Sequence, residues 1–147
     1  MYIVLIFPIL LIFTVTIHYF FLKWLTYFFQ SNLPQAIKLI SIVVCLFIAH
    51  LIEIMIYALV YYYSKLIGGF GGVIEGSFTE NLNALYFSFL AYSSLGSSDL
   101  IATGWVRLLY GFEALNGLLL ITWSASFTFL AMNKMWDCGD CTNIFDS

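Results

Sequence analysis

Charge is scarce in this chain. Only 9% of its 147 residues are Asp, Glu, Lys or Arg, while 63% are hydrophobic. A soluble domain carries about 25% charged residues. So much apolar surface cannot be hidden in one small core, so lipid must be the solvent and the chain reads as an integral membrane protein. With five basic residues and a net charge of −3, there is no basic patch, which excludes a nucleic-acid partner. There is no internal repeat, no low-complexity linker and no soluble domain. No catalytic nucleophile, phosphate loop or cofactor motif is present, so neither enzymatic activity nor a cofactor is expected. Cysteine is also rare. Cys45 lies inside an apolar run, and Cys138 with Cys141 forms CGDC. One such pair supplies only two ligands of a metal site or a redox pair, and a solvated tail is the simpler reading.

The apolar residues fall into long runs. Met1 to Leu22 has no charge, and Lys23 is the first. Leu39 to Ser64 is apolar apart from Glu53 and a group of tyrosines, and Leu108 to Asn133 is apolar apart from Glu113. A helix of about 20 residues crosses a bilayer, so each run is long enough. The first run lacks the basic start and the small-residue cleavage site of a signal peptide. The polar turn QSNLPQ follows Phe29, and Pro34 suits a helix start.

A fourth apolar patch, Leu82 to Leu95, is too short to cross. Ser77 and Glu80 match a capping box, so a helix of about three turns is expected from Asn81 to Tyr92. The strip SSLGSSD, Ser93 to Asp99, then follows. Non-helical backbone at membrane depth is tolerated only where protein buries it or it lines a water-filled cavity. Carbonyls along such a strip can replace an ion's hydration shell, and the helix C-terminus before it favours a cation. A plain interfacial helix with a polar turn is the competing reading.

LYFSFLAYSSLGSSDL resembles the pore helix and filter of small bacterial tetrameric pore-loop potassium channels, whose usual filter reads T-V-G-Y-G-D. Ser94 takes the threonine place, Leu95 the valine, Gly96 the first glycine and Asp99 the acid. GWVRLLYGFEALNGLLLITWSASF resembles that family's inner helix, and AHLIEIMIYALVYYY its outer helix. The resemblance spans roughly residues 42–132. It implies an all-α membrane protein with three transmembrane helices, a re-entrant pore helix and a filter loop, assembled as a homotetramer. It divides the chain into an N-terminal helix at 1–30, an outer helix at 35–66, and an extracellular loop, pore helix and filter at 67–103. An inner helix at 104–136 and a short cytoplasmic tail at 137–147 complete it.

The filter is degenerate in its outer half. Ser97 stands where the family has tyrosine, and Ser98 where it has the second glycine. A serine cannot fill the tyrosine's volume, and a residue with a Cβ is strained at positive φ. The ion-binding candidates are Ser94, Leu95, Gly96, Ser97 and Ser98, with Asp99 at the pore entrance. The resemblance implies passage of monovalent cations, K+ or Na+, with altered selectivity. A pore-fold assembly protein with a collapsed, non-conducting filter is the alternative.

The family topology puts the C-terminus in the cytoplasm of a multi-pass protein of the inner (plasma) membrane. Lys23, Lys38 and Lys134 then lie inside, against Lys65 and Arg107 outside, which follows the positive-inside rule narrowly. Intramembrane ionisable groups are functional suspects. His50 and Glu53 are three apart on one helix face and read as a structural polar pair. Two groups are too few for a metal, so no metal site is expected, and His18 reads as a lone packing or interfacial histidine. Glu113 is expected to support the filter from behind, with Ser88, Tyr92, Ser93 or a neighbouring chain as partner. Gly117 is a candidate hinge or close-packing position. Ile121, Ser124, Ala125 and Thr128 recur at helical spacing and are expected to line a cavity.

Overall fold

The computed structural model describes residues 2–29, 34–64, 70–74, 80–96 and 100–140. Four helices follow in chain order: α1 (Tyr2–Phe29), α2 (Gln35–Ser64), α3 (Glu80–Tyr92) and α4 (Val106–Asp140). Two short strands flank α3, β1 (Val73–Ile74) before it and β2 (Ile101–Ala102) after it.

Composition explains which helices can cross a membrane. Within α1, α2 and α4 lie three candidate spans, Leu5–Phe28, Gln35–Ser64 and Val106–Trp136. Their outer faces carry exposed residues such as Ile12, Phe47 and Leu119. That surface would be costly in water and is ordinary in lipid. By contrast, α3 has 13 residues, a rise of about 20 Å, so it falls short of a crossing. It packs mainly on α2 and α4, while α1 packs on α2 and α4.

The interior is layered. At one end Phe7, Leu10, Tyr57, Tyr61, Phe87, Val106 and Leu109 form an apolar cluster. At the other, Leu22, Leu25, Ile42, Leu46, Ala131 and Met135 form a second. Between them along each helix lie buried polar side chains: Thr14 and His18 on α1, Glu53 on α2, and Glu113, Asn116 and Ser124 on α4. A buried polar group is costly unless it is hydrogen-bonded, and in lipid no water completes the set. These groups therefore have to find one another across helices.

The segments flanking α3 are clasped together. β1 and β2 pair antiparallel, Val73 opposite Ala102 and Ile74 opposite Ile101. Thr103 Oγ1 donates to the Gly72 carbonyl at 3.0 Å and accepts from its N–H at 3.1 Å. Gly71 has φ +96°, and a Cβ there would lie 2.1 Å from the Thr103 carbonyl oxygen. Only glycine allows this approach. The clasp brings the chain after the 93–99 strip back beside the chain that leads into α3.

Candidate functional site

The end of α3 is built from its own backbone. Ser94 N–H donates to the Ala91 carbonyl at 2.9 Å, and Leu95 N–H to the Leu90 carbonyl at 3.1 Å. This is a Schellman ending, with Ser94 in the left-handed position usually held by glycine. Its φ is +57°. Gly96 is left-handed again, at +82°. The Ser94 hydroxyl points to the Ala114 carbonyl of α4, 3.4 Å away. Leu95, an apolar side chain, is 77% exposed. Ser97, Ser98 and Asp99 lie outside the described residues.

Beneath this strip, α3 rests directly on α4. An ideal Cβ on Gly117 would sit 2.3 Å from the Tyr92 carbonyl oxygen, so the glycine is there for close packing. One turn earlier, Glu113 is fully buried. Its Oε1 lies 2.5 Å from Ser88 Oγ on α3, and its Oε2 accepts from the Tyr61 hydroxyl of α2 at 2.5 Å. Ser88 Oγ is also 2.8 Å from the Ile54 carbonyl. One carboxyl group thus ties α2, α3 and α4 together behind the strip. Asn116 donates to Thr14 Oγ1 at 2.7 Å and to the Tyr57 hydroxyl at 3.1 Å, which adds α1.

A second polar group closes into a ring. His18 Nδ1 lies 2.9 Å from Glu53 Oε1. His18 Nε2 lies 3.1 Å from Ser124 Oγ, which is 3.0 Å from His50 Nε2. His50 Nδ1 is 2.8 Å from the Tyr92 hydroxyl, and Tyr92 donates to Glu53 Oε2. A cross-link joins His50 Nδ1 and Glu53 Oε2 at 3.2 Å. Every helix contributes: α1 His18, α2 His50 and Glu53, α3 Tyr92, α4 Ser124. Tyr92 is the last residue of α3, so the ring touches the helix end that starts the strip.

One family comparison bears on this arrangement. A protein-family model described as ion channel matches residues 49–134, more than half of the chain. The chain belongs to the ion channel family. No curated protein and no solved structure matches it. The matched stretch takes in nearly all of α2's second half, α3, the strip and most of α4, so the channel segment holds both polar groups except for α1's His18 and Thr14.

Within this ion channel, the expected site residues fall in three places. Ser94, Leu95 and Gly96 form the exposed strip, and Glu113 and Gly117 pack against α3 behind it. His50 and Glu53 are bonded to each other, but within the larger ring. Ile121 and Ala125 are exposed on α4 and Thr128 is half-buried. Ser124 departs from that stripe: it is buried, with its hydroxyl between two imidazoles. Cys141 lies outside the described residues, and the CGDC pairing with it.

Two partners escape a reading of the sequence. His18 does not stand alone, because α1 runs beside α2 and delivers its ring to Glu53, 35 residues onward. Tyr61 reaches Glu113 across 52 residues. The available signal was a polar neighbour on the same helix, Thr14 one turn before His18 and Tyr57 one turn before Tyr61.

Proposed function

We propose that this ion channel is a homotetramer that passes monovalent cations, in the manner of potassium channels, through a filter formed by residues 94–98. In this reading α3 is the pore helix, α2 the outer helix and α4 the inner helix. Asp99 stands at the pore entrance, Glu113 supports the filter, and Ile121, Ala125 and Thr128 border the cavity below. The channel sits in the plasma membrane with its C-terminus in the cytoplasm.

One observation carries the choice of a cation. The N–H groups of Ser94 and Leu95 turn back to α3. At these two residues carbonyls are then the backbone groups left to face an ion, as a cation needs. The C-terminal end of α3 adds partial negative charge beside them. Leu95 calls for a cover, and a neighbouring chain around a shared axis supplies one. The outer filter positions, Ser97 and Ser98, lack both the bulk of a tyrosine and the freedom of a glycine, so selectivity for potassium over sodium is reduced.

Reconstitution of the purified tetramer into liposomes tests the reading, with potassium, sodium and chloride flux compared. Cation flux in the absence of chloride flux is the expected result. A correctly assembled tetramer that passes neither cation overturns it and leaves a non-conducting assembly protein with the same fold.

A further inference from the structure

We propose that His18, His50 and Glu53 form an intramembrane site for one divalent ion of the zinc class. The three residues present one ligand atom each, all within 4.8 Å of one another. Two imidazoles and a carboxylate are a ligand set that zinc takes, with metal–ligand bonds of about 2.0–2.2 Å and tetrahedral ligand pairs therefore about 3.3 Å apart. His18 Nδ1 already lies 2.9 Å from Glu53 Oε1, and His50 Nδ1 3.2 Å from the other oxygen, Oε2. Modest side-chain rotation brings the set to that spacing. The Tyr92 hydroxyl, 2.8 Å from His50 Nδ1, would be available as a fourth ligand.

Proton counting favours a cation here. The ring has five links: Glu53–His18, His18–Ser124, Ser124–His50, His50–Tyr92 and Tyr92–Glu53. Two neutral imidazoles, one serine and one tyrosine bring four protons. The ring is one positive centre short of closing. A metal ion on the two Nδ1 atoms and the carboxylate closes it without loss of a proton. Each imidazole then carries its hydrogen on Nε2, and both Nε2–H groups donate to the two lone pairs of Ser124 Oγ. Ligating histidines characteristically find such a partner for the second nitrogen, which fixes tautomer and ring orientation. Glu53 cancels half of the ion's charge, and His18 and Glu53 are wholly buried. His50 keeps 16% of its side chain exposed. Trp123 shields the far side of His18, their ring centroids 5.6 Å apart.

The site uses none of the proposed filter residues 94–98, and its test does not depend on conduction. One ligand, His18, also comes from outside the stretch that the ion channel family model matches. The ion would act as a clamp that holds α1 to the channel segment.

The test reads metal and not flux. The full-length, tag-free protein in detergent is stripped with a chelator, titrated with Co2+, and then challenged with Zn2+. One Co2+ per chain is expected, with the visible absorption of a four- or five-coordinate nitrogen–oxygen site, displaced by Zn2+. Zn2+ should also raise the melting temperature by mass action. His18→Gln and Glu53→Gln should abolish binding. Ser124→Ala should weaken it by about 10- to 100-fold, and Ser124→Thr should restore it. Wild-type protein that binds no Co2+ and melts unchanged with Zn2+ overturns the proposal, as does a ring that takes up a proton and no metal. Binding that survives both His18→Gln and Glu53→Gln also overturns it.

Discussion

The Tyr92 carbonyl oxygen occupies the place where Gly117 would carry a Cβ, 2.3 Å from that ideal position. The contact sets how close the last turn of α3 comes to α4. It also sets where the following strip begins, because Tyr92 ends the helix.

Gly117→Ala should therefore push the two helices apart. Overpacking typically costs about 1–3 kcal/mol, and here the opposing atom belongs to backbone, which cannot rotate away. A lower melting temperature and loss of cation flux are expected together. A Gly117→Ala protein with unchanged melting and flux would count against this packing account.

Glu113 should tolerate exchange of its carboxyl for an amide better than loss of a partner. Glu113→Gln keeps two polar atoms between Ser88 and Tyr61. Tyr61→Phe leaves a buried carboxyl oxygen without its donor, at a cost of about 1–3 kcal/mol. Thermal melting in detergent should rank wild type and Glu113→Gln above Tyr61→Phe, with Glu113→Ala lowest.

Ser94 offers a case in which stability and conduction separate. A residue with a Cβ at φ +57° is less comfortable than glycine, and Ser94→Gly should stabilise the fold by up to about 1 kcal/mol. The same change removes the hydroxyl at the innermost filter position. Melting should rise while potassium flux falls; a variant that conducts as wild type does would show that the Ser94 hydroxyl does not serve the ion path.

The outer half of the strip makes the sharpest selectivity test. Ser97→Tyr together with Ser98→Gly restores a bulky prop and a permissive backbone. The potassium-to-sodium flux ratio should increase. An unchanged ratio in a conducting tetramer would mean that selectivity is set elsewhere.

Thr103 holds the clasp outside α3 through both polar groups of Gly72. Thr103→Ala should cost about 1–2 kcal/mol and speed hydrogen exchange at Gly72 and Thr103. Slow exchange in that variant would show that the β1–β2 pairing alone suffices.

The long helices were legible because crossing lipid asks only for length and apolar composition, and runs such as Met1–Leu22 supply both. The short α3 was legible for the converse reason, a run that ends too soon in Ser-Ser-Leu-Gly. Its helix is described from Glu80, while Ser77, the expected cap, lies outside the described residues. The polar partners were harder. Helical spacing tells that His50 and Glu53 share a face, but not what faces them. His18 and Ser124 meet across 106 residues, and only the packing of α1 against α4 brings them together. Ser124 shared helical spacing with Ile121 and Ala125 yet turns inward, since one helix turn later or earlier changes which neighbour a side chain meets. Ser88 stood among the expected partners of Glu113, whereas Tyr61, reaching across from α2, did not.

The layered interior also bears on how the chain enters a membrane during synthesis. Helices emerge in order, and a lone acid in hydrocarbon is expensive. When α2 arrives with Glu53, the His18 ring of α1 has preceded it. When α4 arrives with Glu113, both of its partners, Tyr61 and Ser88, have already been made. Each buried acid thus follows at least one group that can receive it. The order of polar residues along the chain works as an assembly sequence, and moving His18 behind Glu53 by permuting the chain would break it even if the finished contacts were the same.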